Sequence, residues 1–328
     1  MKKVVTALSL GALVAIGGGA QANEVTVKVA QIQALTWAAW MGLPKTMTVD
    51  GTKVTIEPSG FKSSADVMLA VQTGQIDIGP TALGVVASAL AATKNVPMKM
   101  VAGVGDGTTA VVVTPKSGIT QLADLKGKRI GAVRGSNEFF KLQVTLASIG
   151  SDIAKDTQLT MLSAPTDQIL ALQRGDLDAI VTYAPFTTQA VKAGGIEAPK
   201  INQILVHEAG IPTVIIANND FLAKQPKAAQ AIIDAYVQNW RRFDSDRAFW
   251  VDTYLKSASG DRPLLLDAVA SLPANQWLMK EEAMLRIIRN LAHHKAIPAD
   301  TGADTVKLLD YTYLAKATGQ SPKELGQR

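Results

Sequence analysis

The order of apolar and polar positions divides this chain into short strands and helices, and one stretch organises the division. Asp167 to Phe186 (DQILALQRGDLDAIVTYAPF) has apolar residues at helical spacing, then a Gly able to take positive φ just past a helix end, then a short apolar strand. Asp66 to Ile78 (DVMLAVQTGQIDI) repeats the pattern 101 residues earlier. Aligned without a gap on Asp167 to Ala179, it keeps six of thirteen residues: Asp66/Asp167, Leu69/Leu170, Ala70/Ala171, Gln72/Gln173, Gly74/Gly175 and Asp77/Asp178. The unit is helix, tight turn, strand. Its recurrence reflects either an internal duplication or one local structure selecting the same residues twice.

Each copy is preceded by strand-like runs. Lys53 to Pro58 and Gln158 to Ser163 come immediately before the helices, and Glu24 to Ala30 and Lys128 to Val133 supply a first strand for each unit. A strand, a crossover of this length and a second strand imply parallel pairing with a right-handed connection. The expected fold is therefore α/β, with two lobes facing one another across a ligand cleft. The β-branched run Ala110 to Thr114 reads as the first crossing between lobes, and Ile211 to Asn218 as the second. The expected division is a signal peptide over 1–22, the first part of lobe 1 over 23–112, lobe 2 over 113–212, and over 213–328 mainly helices that complete lobe 1.

Candidate ligand contacts fall where strands end. Trp37 and Trp40 share a helical face after the first strand; both suit a core, and a Trp at the mouth of this loop also suits closure over a ligand. Ser63 with Asp66 forms a capping-box-like helix start. Gly79-Pro80-Thr81 is expected to end the strand Ile76 to Ile78 and launch a helix from Leu83, which makes Thr81 either a ligand contact or a plain cap. Arg134, with Gly135, Ser136 and Asn137, lies at a strand end that opens a helix. A guanidinium beside a helix N-terminus suits a carboxylate, sulfonate or phosphate; the alternative is an ion pair with a surface acid such as Glu138. Tyr183 and Pro185 close the organising stretch, and Asn218 closes the second crossing.

Composition narrows the function. Lys2 and Lys3, an apolar run from Val4 to Ile16 and Ala20-Gln21-Ala22 read as a secretory signal peptide, so the exported chain is expected to begin at Asn23 in a periplasm. No later apolar run reaches the length of a membrane span. With no Cys, disulfides and thiolate sites are excluded. Removing Lys2 and Lys3 lowers the formal charge from +5 to +3, too mild and too evenly spread to argue for nucleic acid. The motifs G-x-S-x-G, the P-loop and H-E-x-x-H do not occur. The three histidines, His207 and adjacent His293 and His294, do not make a metal site, so neither cofactor nor metal is expected.

With an export signal, two echoing lobes and two β-rich crossings, the chain resembles periplasmic solute-binding proteins of ABC importers, in the taurine-, alkanesulfonate- and nitrate-binding group. The residues that carry the likeness are Leu122 to Ile130 (LADLKGKRI), the loop Arg134 to Asn137, Leu172 to Ala179 (LQRGDLDA) and Tyr183-Ala184-Pro185-Phe186. The resemblance implies a type II periplasmic binding protein that closes by a hinge around a small solute, acts as a monomer without a cofactor, and delivers to a membrane permease. In that family ligands sit on loops after the strands, which carries onto Gln31 and Gln33, Ser59 and Gly60, Thr81 and Ala82, Arg134 to Asn137, and Tyr183 with Pro185. The expected solute is a small organic anion such as a sulfonate. A heterocyclic or aromatic solute stacked on Trp37 or Tyr183 is the alternative, and an enzyme on the same fold, such as a pyrimidine-synthesising relative, is the rival from another class.

Overall fold

The structure is a computed structural model that describes residues 24–328 apart from 94–95, 106–108, 209–211, 271 and 273–276. The expected signal peptide lies outside the described residues. The strands are β1 (Glu24–Gln31), β2 (Thr46–Val49), β3 (Thr52–Gly60), β4 (Ile78–Ala82), β5 (Met98–Gly105), β6 (Thr109–Val113), β7 (Arg129–Val133), β8 (Gln158–Leu162), β9 (Ala179–Tyr183), β10 (Ile196–Glu197) and β11 (Thr213–Asn218). They form two sheets, one in the order β2-β3-β1-β4-β11-β5 and the other in the order β10-β6-β9-β7-β8. The helices up to the end of the second sheet's connections are α1 (Ala38–Met41), α2 (Ser64–Gln72), α3 (Leu83–Thr93), α4 (Asn137–Ser148), α5 (Ile153–Asp156), α6 (Pro165–Arg174), α7 (Phe186–Lys192) and α8 (Pro199–Glu208). After β11 the chain is helical: α9 (Asn219–Lys224), α10 (Pro226–Ser245), α11 (Arg247–Leu255), α12 (Arg262–Ala270), α13 (Glu281–His293), α14 (Gly302–Val306) and α15 (Thr312–Thr318).

Local chemistry explains why the repeated unit folds as it does. Ser63 caps α2, its hydroxyl accepting from the Asp66 N–H and donating to the Asp66 carboxylate. α6 starts instead with Pro165 in its first turn, where a missing N–H costs nothing. Both helices are followed by a Gly in the left-handed region, Gly74 at φ 72° and Gly175 at φ 75°. The Asp shared by the two copies then ties two strands together. Asp77 Oδ2 accepts the Lys28 N–H at 2.7 Å, and Asp178 Oδ2 accepts the Arg129 N–H at 2.9 Å.

Those bonds extend the 101-residue offset well beyond the thirteen similar residues. Lys28 lies opposite Glu57 and Val29 opposite Ile78; Arg129 lies opposite Gln158 and Ile130 opposite Ala179, so each partner is displaced by 101 positions. The two copies belong to different sheets, β4 to one and β9 to the other.

Three expectations change. All five residues of β6 pair with β9, and all six of β11 pair with β5, so neither strand crosses between sheets. Ala110 to Val112, expected in lobe 1, belong to the second sheet because a strand's N–H and C=O groups are satisfied in one ladder. The chain passes between sheets at the connections β5–β6 and α8–β11, which include 106–108 and 209–211; Ile211 is outside the described residues. The strand expected over Ile76 to Ile78 runs instead from Ile78 to Ala82, because the Ile76 N–H turns back to the Ala70 carbonyl and the ladder with β11 begins beyond it.

The C-terminal helices pack on the first sheet. Tyr236, Trp240, Phe243 and Trp250 are buried with Trp40 and the residues of β1 and β11 in one apolar core. Edge-to-face contacts link Trp40 to Tyr236 and Tyr236 to Trp240, each worth about 0.5–1.5 kcal/mol beyond burial. A separate core lies under α4 and α8 in the second lobe. Phe140, Val144 and Ala184 of the second lobe join the first lobe's core, so the two lobes meet over packed side chains.

Candidate functional site between the two sheets

β1, β3 and β4 are parallel to one another, as are β7, β8 and β9. Their C-terminal ends feed loops and helix starts, where unpaired amides gather. These ends converge on a small cavity of about 40 Å³. The first lobe contributes Ile32, Ala34, Thr36, Trp37, Lys62, Ser63, Ser64 and Thr213 to its lining; the second contributes Val133, Ser136, Asn137, Glu138, Pro165 and Tyr183.

The lining has a consistent origin in the 101-residue offset. Ile32 matches Val133, Thr36 matches Asn137, Trp37 matches Glu138 and Ser64 matches Pro165, and all eight residues line the cavity. The scaffold is doubled while the chemistry at matched positions differs. The neighbouring pair Trp40 and Lys141 follows the same rule, both being almost fully buried.

Long-range bonds hold the walls. The Trp40 indole N–H donates to the Ala30 carbonyl at 2.8 Å and the Trp250 indole N–H to the Leu35 carbonyl at 2.7 Å, which fixes both ends of the loop carrying Ile32 and Ala34. Across the cleft the Leu35 N–H donates to the Ala184 carbonyl. Gly135, at φ 65°, is so close to α2 that a Cβ there would lie 2.7 Å from the Ala65 Cβ. The lobes touch at that point.

Electrostatically the cavity is mixed. The starts of α2 and α4 line it, with Ser63 and Ser136 as N-caps, and helix starts favour anions. Lys62 adds a cation at the α2 side. Glu138, 8% exposed, contributes a carboxylate. Burial, with the Glu138 carboxylate and Tyr254 adding to it, pushes the Tyr183 phenol well above its ordinary pKa, so Tyr183 keeps its proton.

Of the residues expected from sequence, Trp37, Ser136, Asn137 and Tyr183 line the cavity, and the others do not. Thr81 is fully buried in β4 and its hydroxyl donates to the Ser64 carbonyl at 2.7 Å; it ties the strand to α2 rather than opening a helix. Ala82 is buried beside it, paired with Thr213. Asn218 is at the opposite edge of the sheet, because β11 runs antiparallel to β4: its first residue, Thr213, reaches the cavity and its last caps α9. There the Asn218 amide donates to the Val71 carbonyl. Gln33 is exposed and donates to the Ser257 carbonyl. Gln31 and Gly60 pair with each other at the ends of β1 and β3, and Ser59 sits one position before. Pro185 caps α7. Gly135 sits at one of the places where the lobes meet, against Ala65.

Arg134 and Glu138 exchange the roles expected of them. Arg134 is exposed, outside the lining, and has no ion-pair partner among the described residues. Glu138, expected as a surface acid, is buried in the cavity wall, since position 138 lies on the inward face of α4 and position 134 on the loop outside it. Sequence reasoning missed the other ten lining residues, Lys62, Ser64, Pro165 and Thr213 among them. The matched helix starts at Ser64 and Pro165 were the available signal. His293 and His294 line a different recess with Gln143, Ser151, Asp152 and Lys295. Among the described residues no three His, Asp or Glu side chains are placed to hold a metal ion, and no helix is long and apolar enough to cross a membrane.

Two α/β lobes closing on a cavity at their facing sheet edges define a protein of the periplasmic-binding-protein fold. Solved structures carry the same fold. The ligand-binding component of an ABC-type import system from Staphylococcus aureus, solved with zinc bound, matches at a TM-score of 0.74 and 17% identity over 90% of this chain and 100% of that one. The alkanesulfonate-binding protein SsuA from Xanthomonas axonopodis pv. citri, bound to MOPS, matches at a TM-score of 0.70 and 16% identity over 89% of this chain and 100% of that one. The chain belongs to the NMT1/THI5 like family, whose profile matches residues 49–243. Among its relatives, the taurine-binding periplasmic protein of Escherichia coli (strain K12) is 30% identical over 256 residues, covering 74% of this chain and 73% of that protein.

Proposed function

We propose that this protein is the solute-binding component of an ABC-type importer. It is exported after cleavage before Asn23, captures a small solute bearing an anionic oxygen group of the sulfonate kind, and delivers it unchanged to a permease in the inner membrane as a monomer. The observation that carries this reading is the cavity itself, lined from both lobes and by the starts of α2 and α4. A solute there contacts both walls at once, so it stabilises the closed arrangement over the open one.

The test is a thermal-shift screen of sulfonates, carboxylates, nitrate and pyrimidines on the exported protein, followed by calorimetric titration of each hit. A sulfonate should raise the melting temperature and bind at one site; the shift should grow with ligand concentration. A screen in which only pyrimidines shift the melt would favour the reading in which Trp37 and Tyr183, both in the lining, stack on an aromatic solute. Recovery of chemically altered solute would point to an enzyme on this fold. Intact mass of the exported protein tests cleavage: retention of Lys2 and Lys3 would rule it out.

A further inference from the structure

The two carboxylate oxygens of Asp261 are engaged in different lobes. Oδ1 accepts the Leu264 N–H at 3.2 Å and so caps α12, while Oδ2 accepts from the Lys192 ammonium at 2.8 Å. The cap fixes the carboxylate, so its second oxygen is held in place for a partner. Lys192 is the last residue of α7 in the second lobe, whereas α12 packs through Leu265 and Val269 into the core of the first. The ion pair therefore spans the lobes, unlike Arg129–Asp178 and Arg262–Asp252, each of which lies within one. Both partners are tied to the cavity wall. α7 follows directly on Tyr183 and Ala184, and its 7 residues span about 10 Å, so Lys192 stands about two turns from the lining. In the first lobe Gln33 donates to the Ser257 carbonyl and the Trp250 indole to the Leu35 carbonyl, which joins the segment before α12 to the loop from Ile32 to Trp37. That loop meets the second lobe where the Leu35 N–H donates to the Ala184 carbonyl. The ion pair continues the same seam outward.

We infer that Lys192 and Asp261 form a latch that holds the lobes together, which makes them positioning residues for solute capture although neither lines the cavity. The latch presupposes the function proposed above, a binding protein that closes around its solute. With side chains 52% and 39% exposed, the pair is screened by water and contributes little to folding. A balance between open and closed lobes answers to small free energies, and a surface pair of this kind shifts it by about twofold to fivefold. Apparent affinity scales with the closed fraction, so the same factor passes to the solute wherever the free protein is mostly open. Salt screens the pair further, and the effect should fade as ionic strength rises.

The chain has no Cys, so two introduced cysteines give unique labelling sites. Thr73 and Arg174 are exposed, are matched by the 101-residue offset, and stand at the ends of α2 and α6, which begin at the cavity and lead away from it, one in each lobe. With spin labels on Thr73→Cys and Arg174→Cys, double electron–electron resonance without solute should resolve a shorter and a longer distance. Asp261→Asn, which keeps the helix cap and removes the charge, should shift the balance about twofold to fivefold towards the longer one. Lys192→Gln should do the same, and Lys192→Arg should keep most of the wild-type balance. The double variant Lys192→Gln/Asp261→Asn should match either single variant, because each change removes the same interaction. Melting temperatures should stay within about 3 °C of wild type, which separates a latch from a contact needed for folding. An unchanged balance in both single variants, a double variant showing the sum of two losses, or one fixed distance throughout overturns the latch. No solute enters the measurement, so its outcome is independent of whether a sulfonate binds.

Discussion

The first and second lobes carry the same strand–helix–strand unit in the same register, yet they bring different chemistry to the cavity. The first lobe supplies Trp37, Lys62 and two serines; the second supplies Glu138, Asn137, Ser136 and Tyr183. What they share is structural. Asp77 and Asp178 each hold a backbone N–H of the neighbouring strand, Lys28 in β1 and Arg129 in β7, and neither reaches the cavity. Residue identity is kept where the backbone needs it and lost at the matched positions that line the cavity. A repeat detected by identity thus marks the scaffold, and the cavity is lined at matched positions that differ.

The largest effect should come from the matched pair Trp40 and Lys141. Trp40 is fully buried with its indole N–H on Ala30, so Trp40→Ala should lower stability by about 3–5 kcal/mol in urea unfolding. Trp37→Ala, three residues earlier and in the cavity lining, should cost less stability and show chiefly as weaker solute binding. Equal losses of stability would erase the distinction between the two tryptophans.

Next is the point where the lobes touch. A side chain at 135 must adopt φ 65° and meet Ala65, so Gly135→Val should weaken solute binding by about 1–3 kcal/mol through obstructed closure. Calorimetry measures that loss. Ala65→Gly, which removes the opposing methyl, should restore part of it, and no restoration would refute the role of the Gly135–Ala65 contact in closure.

The two aspartates separate the lobes more finely. Asp178 also accepts from the Arg129 guanidinium, at 2.7 Å and 3.2 Å, which Asp77 has no counterpart for. Asp178→Asn should therefore cost about 1 kcal/mol more than Asp77→Asn, a modest figure because the Arg129 side chain is 43% exposed and solvent screens the pair. The Arg129 guanidinium holds the Asp178 carboxyl below its usual range. A depressed folded-state value means this stabilisation is full above the unfolded pKa of about 3.9 and is lost as pH falls from there through the lower folded-state pKa. Acid unfolding curves of wild type and Asp178→Asn should accordingly converge below about pH 4; a constant gap down to pH 2 would deny the ion pair its role.

The smallest effect is expected at Arg134. Exposed and outside the lining, it should tolerate Ala with solute affinity unchanged within about twofold, as for other surface charges. A tenfold loss by calorimetry would return Arg134 to the site.

These residues also divide what could be read in the sequence from what could not. The helix–Gly–strand units, the Ser63 cap and the turns at Gly74 and Gly175 were legible because each depends on atoms within a few residues: an i to i+3 bond, or a φ that Gly alone adopts cheaply. The two-lobed α/β class followed from the same local periods. Whether Trp37 or Trp40 faces the cavity was not legible, since both share one helical face and the choice is made by Tyr236 and Trp240, nearly 200 residues away. Asn218 and Thr213 changed places because strand direction is set by pairing with β4 and β5, which local propensity does not encode. Arg134 and Glu138, four residues apart, exchanged roles for a related reason. The sequence by itself determined the repeated scaffold; only the tertiary packing decided which side chains it presents to the cavity, because burial is a property of everything packed against a residue and not of the residue.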